Sequence, residues 1–310
     1  MTHLANIAAG ALEAAPRILT SDFLRYALGA GGVFILVNGL FANALAGRRI
    51  RKRVLKEGQL KRELLTSLRT VFIFASIGTT IGVGTQFGVL RFYKDPAALG
   101  WAWFTASTVL AIILHDAWFY WTHRLLHRQA FFRRCHRTHH QSKTPTPFTS
   151  YAFDAEEALV HGVYLLLLGA VLPLSYLAAF IFTTHMMLRN AIGHCGYELF
   201  PARADGRPRF DFLTTVTHHD IHHADGGWNF GLYFTFWDRL MGTEHPNYHD
   251  RFAKAVRREL AVVPNRTNVT TLLTTGLISG LVLSTAFLAI APPAHAAKTV
   301  NGPACSISAH

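Results

Sequence analysis

The feature that most constrains this chain is a set of long segments without charged side chains. Each runs for about 18 residues or more without Asp, Glu, Lys or Arg, and they cover residues 27–47, 70–90, 97–114 and 272–291. About 20 apolar residues are needed for a helix to cross the roughly 30 Å hydrocarbon core of a bilayer. The four segments therefore predict four transmembrane helices. The charged fraction of 15% is low for a soluble protein and agrees with this.

A fifth apolar segment, residues 158–188, is longer and carries only His161 and His185 as ionisable groups. Pro173 lies at its middle, and proline interrupts the hydrogen-bond ladder of a helix. Each half is short for a bilayer crossing. We therefore expect two half-length helices that form a re-entrant hairpin.

The segment between the first two spans, RRIRKRVLKEGQLKR at 48–62, is dense in Lys and Arg. Positive loops face the cytoplasm, so this segment predicts the sidedness of the chain. Counting spans onward then puts 115–157 and 189–265 on the same face. The predicted fold is an all-α polytopic membrane protein, residues 1–310 forming one integral-membrane domain, with about four transmembrane helices, the hairpin and a cytoplasmic His-rich helical cap.

The net charge of +12 suits either nucleic acid or an anionic membrane surface. The apolar segments favour the membrane, so we expect no nucleic-acid partner. Cys135, Cys195 and Cys305 are odd in number and far apart, which predicts neither a disulfide framework nor a Cys-based zinc module.

Histidine is concentrated in one region, because 15 of the 18 histidines lie between His115 and His249. Three groups have helical spacing, one H-x-x-x-H and two H-x-x-H-H, and they comprise His123 and His127; His136, His139 and His140; His219, His222 and His223. Residues three and four apart share one helix face, so each group can converge. A single pair of this kind is more often satisfied or solvated than a ligand pair. Eight imidazoles exceed what one ion can use, and three such groups predict a site for two metals.

A further helix could contribute His194 as a nitrogen ligand and Asn190, four residues earlier, as a weak oxygen ligand. Metal-bound imidazoles need acceptors for their other nitrogen. We expect this role from acidic and amide residues near the boxes, which could equally form simple ion pairs: Asp116, Glu157, Asp220, Asn229 and Asp238. We expect His218, His245 and His249 on the solvent side.

These motifs resemble the fatty acid hydroxylase superfamily of membrane His-box oxygenases. The nearest branch is that of the sterol C-5 desaturases and C-4 methyl sterol oxidases, and the resemblance covers about residues 114–243. It rests on HDAWFYWTHRLLH, HRTHH followed by PTPFTSYAF, HCGYELF, HHDIHH, NFG and FWDRLMGT, in that order. Arg128 and Asp154 stand where many relatives carry histidine.

The resemblance implies two iron ions with O2 as co-substrate, in a His-box catalytic region at 114–243. The implied ligands are His123, His127, His136, His139, His140, His194, His219, His222 and His223, with Asn190 as a weak or water-mediated ligand. The implied reaction hydroxylates or desaturates an unactivated C–H position of a membrane lipid, with a sterol-like lipid favoured. Spacing alone does not identify iron, since imidazole also suits zinc, copper and nickel.

Each turnover needs two electrons, and no haem domain, flavin fold or Fe–S cysteine set is recognisable in this sequence. We therefore expect an external donor, either a cytochrome b5-like protein or a ferredoxin with its reductase. Basic residues that would suit an acidic donor, or alternatively anionic lipid headgroups, are those of 48–62 with Arg124, Arg128, Arg133, Arg134 and Arg137.

The alternative function is a His-rich membrane protein that binds or transports a divalent metal without redox chemistry. Transporters place ligands near the bilayer midplane, whereas these boxes follow the spans. Reductant-dependent O2 consumption would separate the two. The C-terminal CSISAH shows no retrieval signal, so we expect the bacterial inner membrane rather than the endoplasmic reticulum.

Overall fold

The computed structural model describes residues 2–51 and 55–257, so the predicted span 272–291 lies outside the described residues. The described part is built mainly of helices, as the sequence predicts. Its long helices are α1 (Thr2–Tyr26), α4 (Gln59–Gln86), α5 (Trp101–Leu126), α8 (Ala155–Val171) and α9 (Tyr176–Gly193). Its short ones are α2 (Gly32–Ile35), α3 (Ala42–Leu45), α6 (Gln129–Cys135), α7 (Arg137–His140), α10 (Val216–Ala224), α11 (Phe236–Leu240) and α12 (Tyr248–Val256).

Three helical segments in the described residues are long and apolar enough to cross a membrane, Leu4–Leu40, Gln59–Gln86 and Trp101–Leu126. The first includes the π-helical turns Ala27–Gly31 and Leu36–Leu40 on either side of α2. The predicted start of this span at residue 27 is wrong, because α1 begins at Thr2. Its charges are paired one turn apart, Arg17 with Glu13 and Arg25 with Asp22, which makes them compatible with the helix.

Most of the predicted spans 70–90 and 97–114 lies in longer helices, whereas residues 87–90 and 97–100 lie outside them. Helix α4 begins at Gln59 and ends at Gln86, and α5 continues to Leu126. The extension of α5 carries His115, Asp116 and His123 on buried positions. This candidate span can therefore contain polar residues, because their side chains are buried in the protein.

The segment around Pro173 separates α8 from α9, as predicted. Strand β1 (Phe92–Tyr93), which follows α4, pairs in parallel with β2 (Leu174–Ser175) at the hairpin tip. The indole Nε1 of Trp103 donates to the carbonyl of Pro173 at 3.1 Å. The hairpin tip therefore lies beside the C-terminal end of α4 and the N-terminal end of α5. Helices α8 and α9, of 17 and 18 residues, connect this tip to the histidine region.

Small residues allow α8 to lie close to its neighbours. A Cβ on Gly162 would stand 2.2 Å from Ile77 of α4, and one on Gly169 would stand 2.1 Å from Phe92. Close packing of helices at small residues drives their association in a membrane, because lipid is as apolar as the helix surfaces. The bundle core therefore depends on glycine at these positions.

The short helices α6, α7, α10, α11 and α12 form a cap at the end of the bundle opposite the hairpin tip. The basic segment meets this cap, because the backbone N–H of Ile50 donates to the carbonyl of Gly196 at 3.0 Å and Arg51 pairs with Asp220 at 2.7 Å. The basic segment and the cap therefore lie at the same end, as expected. That this end faces the cytoplasm remains a prediction.

Candidate metal centre

Nine histidines from α5, its C-terminal cap, the α6–α7 region, the end of α9 and α10 converge at the base of the cap. They form two groups, within each of which the potential ligand atoms all lie within 4.8 Å of one another. Cluster A contains His123, His127, His136, His140 and His222, and cluster B contains His139, His194, His219 and His223. These are the nine histidines singled out from the sequence.

Each H-x-x-H-H motif contributes to both clusters. In the first motif His136 and His140 belong to cluster A and His139 to cluster B. In α10 the division is His222 against His219 and His223. The histidines of each motif, which the spacing allows to converge, are thus divided between two clusters, because adjacent helical residues point about 100° apart and α7 and α10 face each other across the two clusters.

Backbone carbonyls orient three of the imidazoles. The Nδ1 of His123 lies 2.9 Å from the carbonyl of Phe230, and the Nδ1 of His222 lies 2.7 Å from that of Trp228. The Nδ1 of His194 lies 2.7 Å from the carbonyl of Asn190. A carbonyl only accepts, so Nδ1 carries the proton and Nε2 offers a lone pair to the cluster.

The Nε2 atoms face one another at short range. His123 and His136 are 3.1 Å apart in cluster A, as are His222 and His140. In cluster B the Nε2 of His194 has three such neighbours, at 2.9 Å (His219), 3.0 Å (His223) and 3.3 Å (His139). One proton cannot satisfy three contacts, so lone pairs converge. Two sets of neutral nitrogen donors of this kind fit two transition-metal ions.

The protonation state suits metal binding. Burial lowers the pKa of His136 to about 3 and that of His194 to about 4. Burial, followed by the charges of neighbouring histidines, also holds the pKa of His219 and His223 well below the usual value. These imidazoles are neutral at pH 7, and only the neutral ring can bind a metal.

Glu157 is the predicted acceptor that faces a cluster directly. Its Oε1 lies 2.8 Å from the Nδ1 of His136, in a close but oblique contact, and 3.7 Å from the Nε2 of His161. Both side chains of the His136 contact are 1% exposed, so water does not weaken it. Glu157 is thus the carboxylate beside the outer nitrogen of His136, where a metal-bound imidazole needs an acceptor.

Asp116, Asn229 and Asp238 hold a loop instead of an imidazole. Asp238 accepts from the backbone N–H groups of Phe230 (2.9 Å) and Gly231 (2.8 Å). Asp116 accepts from the N–H of Tyr233 at 2.9 Å. Asn229, at a φ of 58°, donates to the carbonyl of His218 and accepts from the N–H of His245. The loop thereby presents the carbonyls of Trp228 and Phe230.

The remaining predicted residues act through other contacts. Asp220 faces Arg51, whose Nε lies 2.7 Å from its Oδ1. The amide of Asn190 donates to the carbonyl of Ser150 at 2.7 Å. Asp154 accepts from the backbone N–H of Thr138 in α7 at 2.9 Å, between ligands of the two clusters. Whether any of these residues influences the metals remains a prediction.

Sequence reasoning missed the carbonyl acceptors and misplaced two histidines. His218 and His245 are buried, so the expectation that they face solvent is wrong, while His249 is partly exposed and pairs with Asp211. The NFG motif at 229–231 was the sequence signal for the loop that carries these carbonyls. A Cβ on Gly231 would lie 2.7 Å from the carbonyl of Phe234, so glycine is required for the loop to close.

Comparison with known proteins places this site in a family. Residues 108–243 match the family model described as fatty acid hydroxylase. A delta(7)-sterol 5(6)-desaturase of Gibberella zeae is 27% identical over 69% of this chain and 65% of its own. Lathosterol oxidase of Mus musculus is 28% identical over 62% of this chain and 63% of its own. Methylsterol monooxygenase 1 of Rattus norvegicus is 29% identical over 48% and 50%.

The chain thus spans a little less than two thirds of the length of the first two relatives. No solved structure matches it. All nine converging histidines lie within the residues that match the family model. Residues 108–243 therefore belong to the fatty acid hydroxylase family, and the relatives to which the chain is similar include sterol desaturases and sterol oxidases.

Proposed function

We propose that this protein is an O2-dependent diiron oxidoreductase that hydroxylates or desaturates an unactivated C–H position of a membrane lipid. The observation that carries the proposal is the pair of adjacent clusters whose Nε2 lone pairs face inward. The family relationship supports iron as the metal and a lipid as the substrate. When bound, two iron ions with O2 supply oxidation of a C–H bond.

The chain's own residues hold and orient the ligands. The carbonyls of Phe230, Trp228 and Asn190 keep three imidazoles in the tautomer that binds metal. Glu157 stabilises the positive charge that His136 acquires on binding. Because these groups are preorganised and buried, they need no rearrangement when metal enters.

Aromatic side chains exclude water from the membrane side of the clusters. The ring of Phe119 lies 4.9 Å from that of His123, and the ring of Phe153 lies 5.4 Å from that of His139. His161 is sandwiched between these two phenylalanines, 5.0 Å and 5.3 Å away. An apolar lining of this kind suits a lipid and protects a reactive centre from water.

A sterol-like substrate is favoured because similar relatives are named as a delta(7)-sterol 5(6)-desaturase and a lathosterol oxidase. The electron donor in this proposal is a separate cytochrome b5-like protein or ferredoxin. Four arginines, Arg128, Arg133, Arg134 and Arg137, are exposed around the clusters and would attract an acidic donor. A cytoplasmic orientation in a bacterial inner membrane belongs to the same proposal.

The test compares total lipids, by high-resolution mass spectrometry, from cells that express the intact chain, His139→Ala or His249→Ala. His249 is the matched control because it lies outside both clusters. We expect a lipid that gains one oxygen or loses two hydrogens with the intact chain and His249→Ala only. Identical lipids in all three strains, with a donor and sterols supplied, would favour the metal-transport alternative.

A further inference from the structure

An exposed apolar patch lies on the cap, outside the candidate spans. Its side chains are 38 to 62% exposed and come from the loop before α10 and from α11 and its C-terminus: Phe210, Phe212, Phe236, Leu240 and Met241. We call these five residues the apolar ledge. Contiguous apolar surface of this kind on a folded protein marks an interaction site.

The two parts of the apolar ledge are joined by hydrogen bonds. The backbone N–H of Thr235 donates to the carbonyl of Phe212 at 3.0 Å, and its hydroxyl donates to the carbonyl of Asp211 at 3.0 Å. Arg239 of α11 also pairs with Asp211 at 3.0 Å. The ledge is therefore one structural unit rather than two independent loops.

Helix α5 shows where the ledge lies relative to a bilayer. Trp101 and Trp121 are both exposed, and 20 residues separate them along the helix, which corresponds to about 30 Å. This equals the thickness of the hydrocarbon core, and tryptophan concentrates at both membrane interfaces. Trp121 therefore indicates the interface at the cap end of α5.

The ledge adjoins this interface. Trp237 of α11 packs edge-on against Trp121 at 5.9 Å and stacks on Tyr120 at 6.0 Å. Phe236 and Leu240, on the same helix, are 60% and 62% exposed, and Leu125 of α5 is 44% exposed. The apolar surface of the candidate span thus continues onto α11.

Basic residues precede the ledge. Arg207 and Arg209 are exposed immediately before Phe210. Exposed apolar side chains beside arginines are the pattern of a segment that lies in the headgroup layer of an anionic membrane. If the ledge instead bound another protein, its position beside Trp121 at the membrane interface would have no reason.

We infer that the apolar ledge inserts into the lipid headgroup layer beside the cap end of α5. Asp238, in the middle of α11, holds the N–H groups of Phe230 and Gly231. The ledge therefore connects the bilayer surface to the loop that orients His123 and His222. This inference does not depend on the reaction that the metal centre performs.

The test uses the full chain in vesicles of phosphatidylcholine and phosphatidylglycerol, with the photo-crosslinker p-benzoylphenylalanine at one position at a time. Leu240 and Phe236 are the test positions. Ile113, exposed on α5 between the two tryptophans, is the positive control, and Lys254, exposed on the polar side of α12, is the negative control. Intact-protein mass spectrometry then detects the mass of one added phospholipid.

We expect Leu240 and Phe236 to gain a phospholipid as Ile113 does, and Lys254 to gain none. Both test side chains are largely exposed, so the substitutions leave the core unchanged. Crosslinking at Leu240 as low as at Lys254, or a covalent dimer in place of the lipid adduct, would overturn the inference. Quenching of a fluorophore on Leu240→Cys by brominated lipid is the second measurement, expected to reduce emission there but not at Lys254→Cys.

Discussion

The Nε2 atoms of His123 and His136 lie 3.1 Å apart, while the Nδ1 atoms of both rings face oxygen atoms of Phe230 and Glu157. The carbonyl of Phe230 holds the proton of His123 on Nδ1, so the Nε2 lone pair of His123 points at the Nε2 of His136. A cation bound by both rings would use this lone pair. The geometry of this pair therefore links the outer contacts of the cluster to its affinity for metal.

The two clusters predict separable metal losses. His123→Ala removes a nitrogen of cluster A and His139→Ala one of cluster B, so we expect each variant to lose the ion of its own cluster first. Metal content measured by inductively coupled plasma mass spectrometry checks this. His249→Ala is the control, and full metal content in both cluster variants would contradict the assignment.

Glu157 and Glu156 form a matched pair of neighbours. Glu157 is buried against His136, whereas Glu156 is partly exposed and pairs with Arg134 at 3.1 Å. Removing an outer partner of a metal-bound histidine typically costs 10- to 100-fold in affinity or activity, so we expect a loss of about this size for Glu157→Gln. Glu156→Gln should match the unaltered protein, and equal effects of the two changes would refute the role of Glu157.

Asp238 supports the carbonyl loop through two backbone N–H groups and the hydroxyl of Thr243 at 2.8 Å. Leaving buried donors unpaired costs about 1–3 kcal/mol, so Asp238→Ala should lower the free energy of unfolding by about this amount and also weaken metal binding. Unfolding in mixed micelles measures the first effect and metal titration the second. Asp250→Ala, at an exposed position of α12, is the control and should change neither.

The buried histidines predict acid sensitivity of the metal-free protein. Burial lowers the pKa of His136 to about 3 and that of His194 to about 4, below the unfolded value of 6.5. Between those values the unfolded chain binds protons that the folded chain does not. Stability is therefore fully present above pH 6.5 and is lost as the pH falls toward 4, by about 1.4 kcal/mol per pH unit for each such histidine.

Thermal unfolding of the metal-stripped protein at a series of pH values measures this loss. Bound metal should protect the fold until the imidazoles are protonated. A melting temperature that stays constant between pH 7 and pH 4.5 would contradict the prediction, because it would show that folding does not lower the pKa of these histidines.

The arginines around the clusters predict the behaviour of the electron donor. Arg133→Glu with Arg137→Glu should slow donor-dependent turnover and weaken its dependence on salt, because steering by charge is screened by ions. Lys94→Glu, exposed beside β1 at the other end of the bundle, is the control. Unchanged turnover in the double variant would instead favour a role for these arginines at lipid headgroups.

The sequence by itself determined that this is a helical membrane protein with a histidine-rich region. Uncharged segments as long as those around α4 and α5 are long enough to cross a bilayer, and a helical spacing of histidines restricts where their side chains point. His123, His127 and the two H-x-x-H-H groups could be selected on that basis. The break at Pro173 followed from local chemistry as well.

Only the tertiary structure decided how the nine histidines divide between two clusters. His139 and His140 are neighbours in the chain, yet they belong to different clusters, because α7 lies between the other histidines of cluster A and those of cluster B. The acceptors for His123 and His222 are backbone carbonyls, which every residue carries and no side-chain pattern reveals. The start of α1 was also missed, because pairing of Arg25 with Asp22 depends on their geometry in the folded helix rather than on the number of charges.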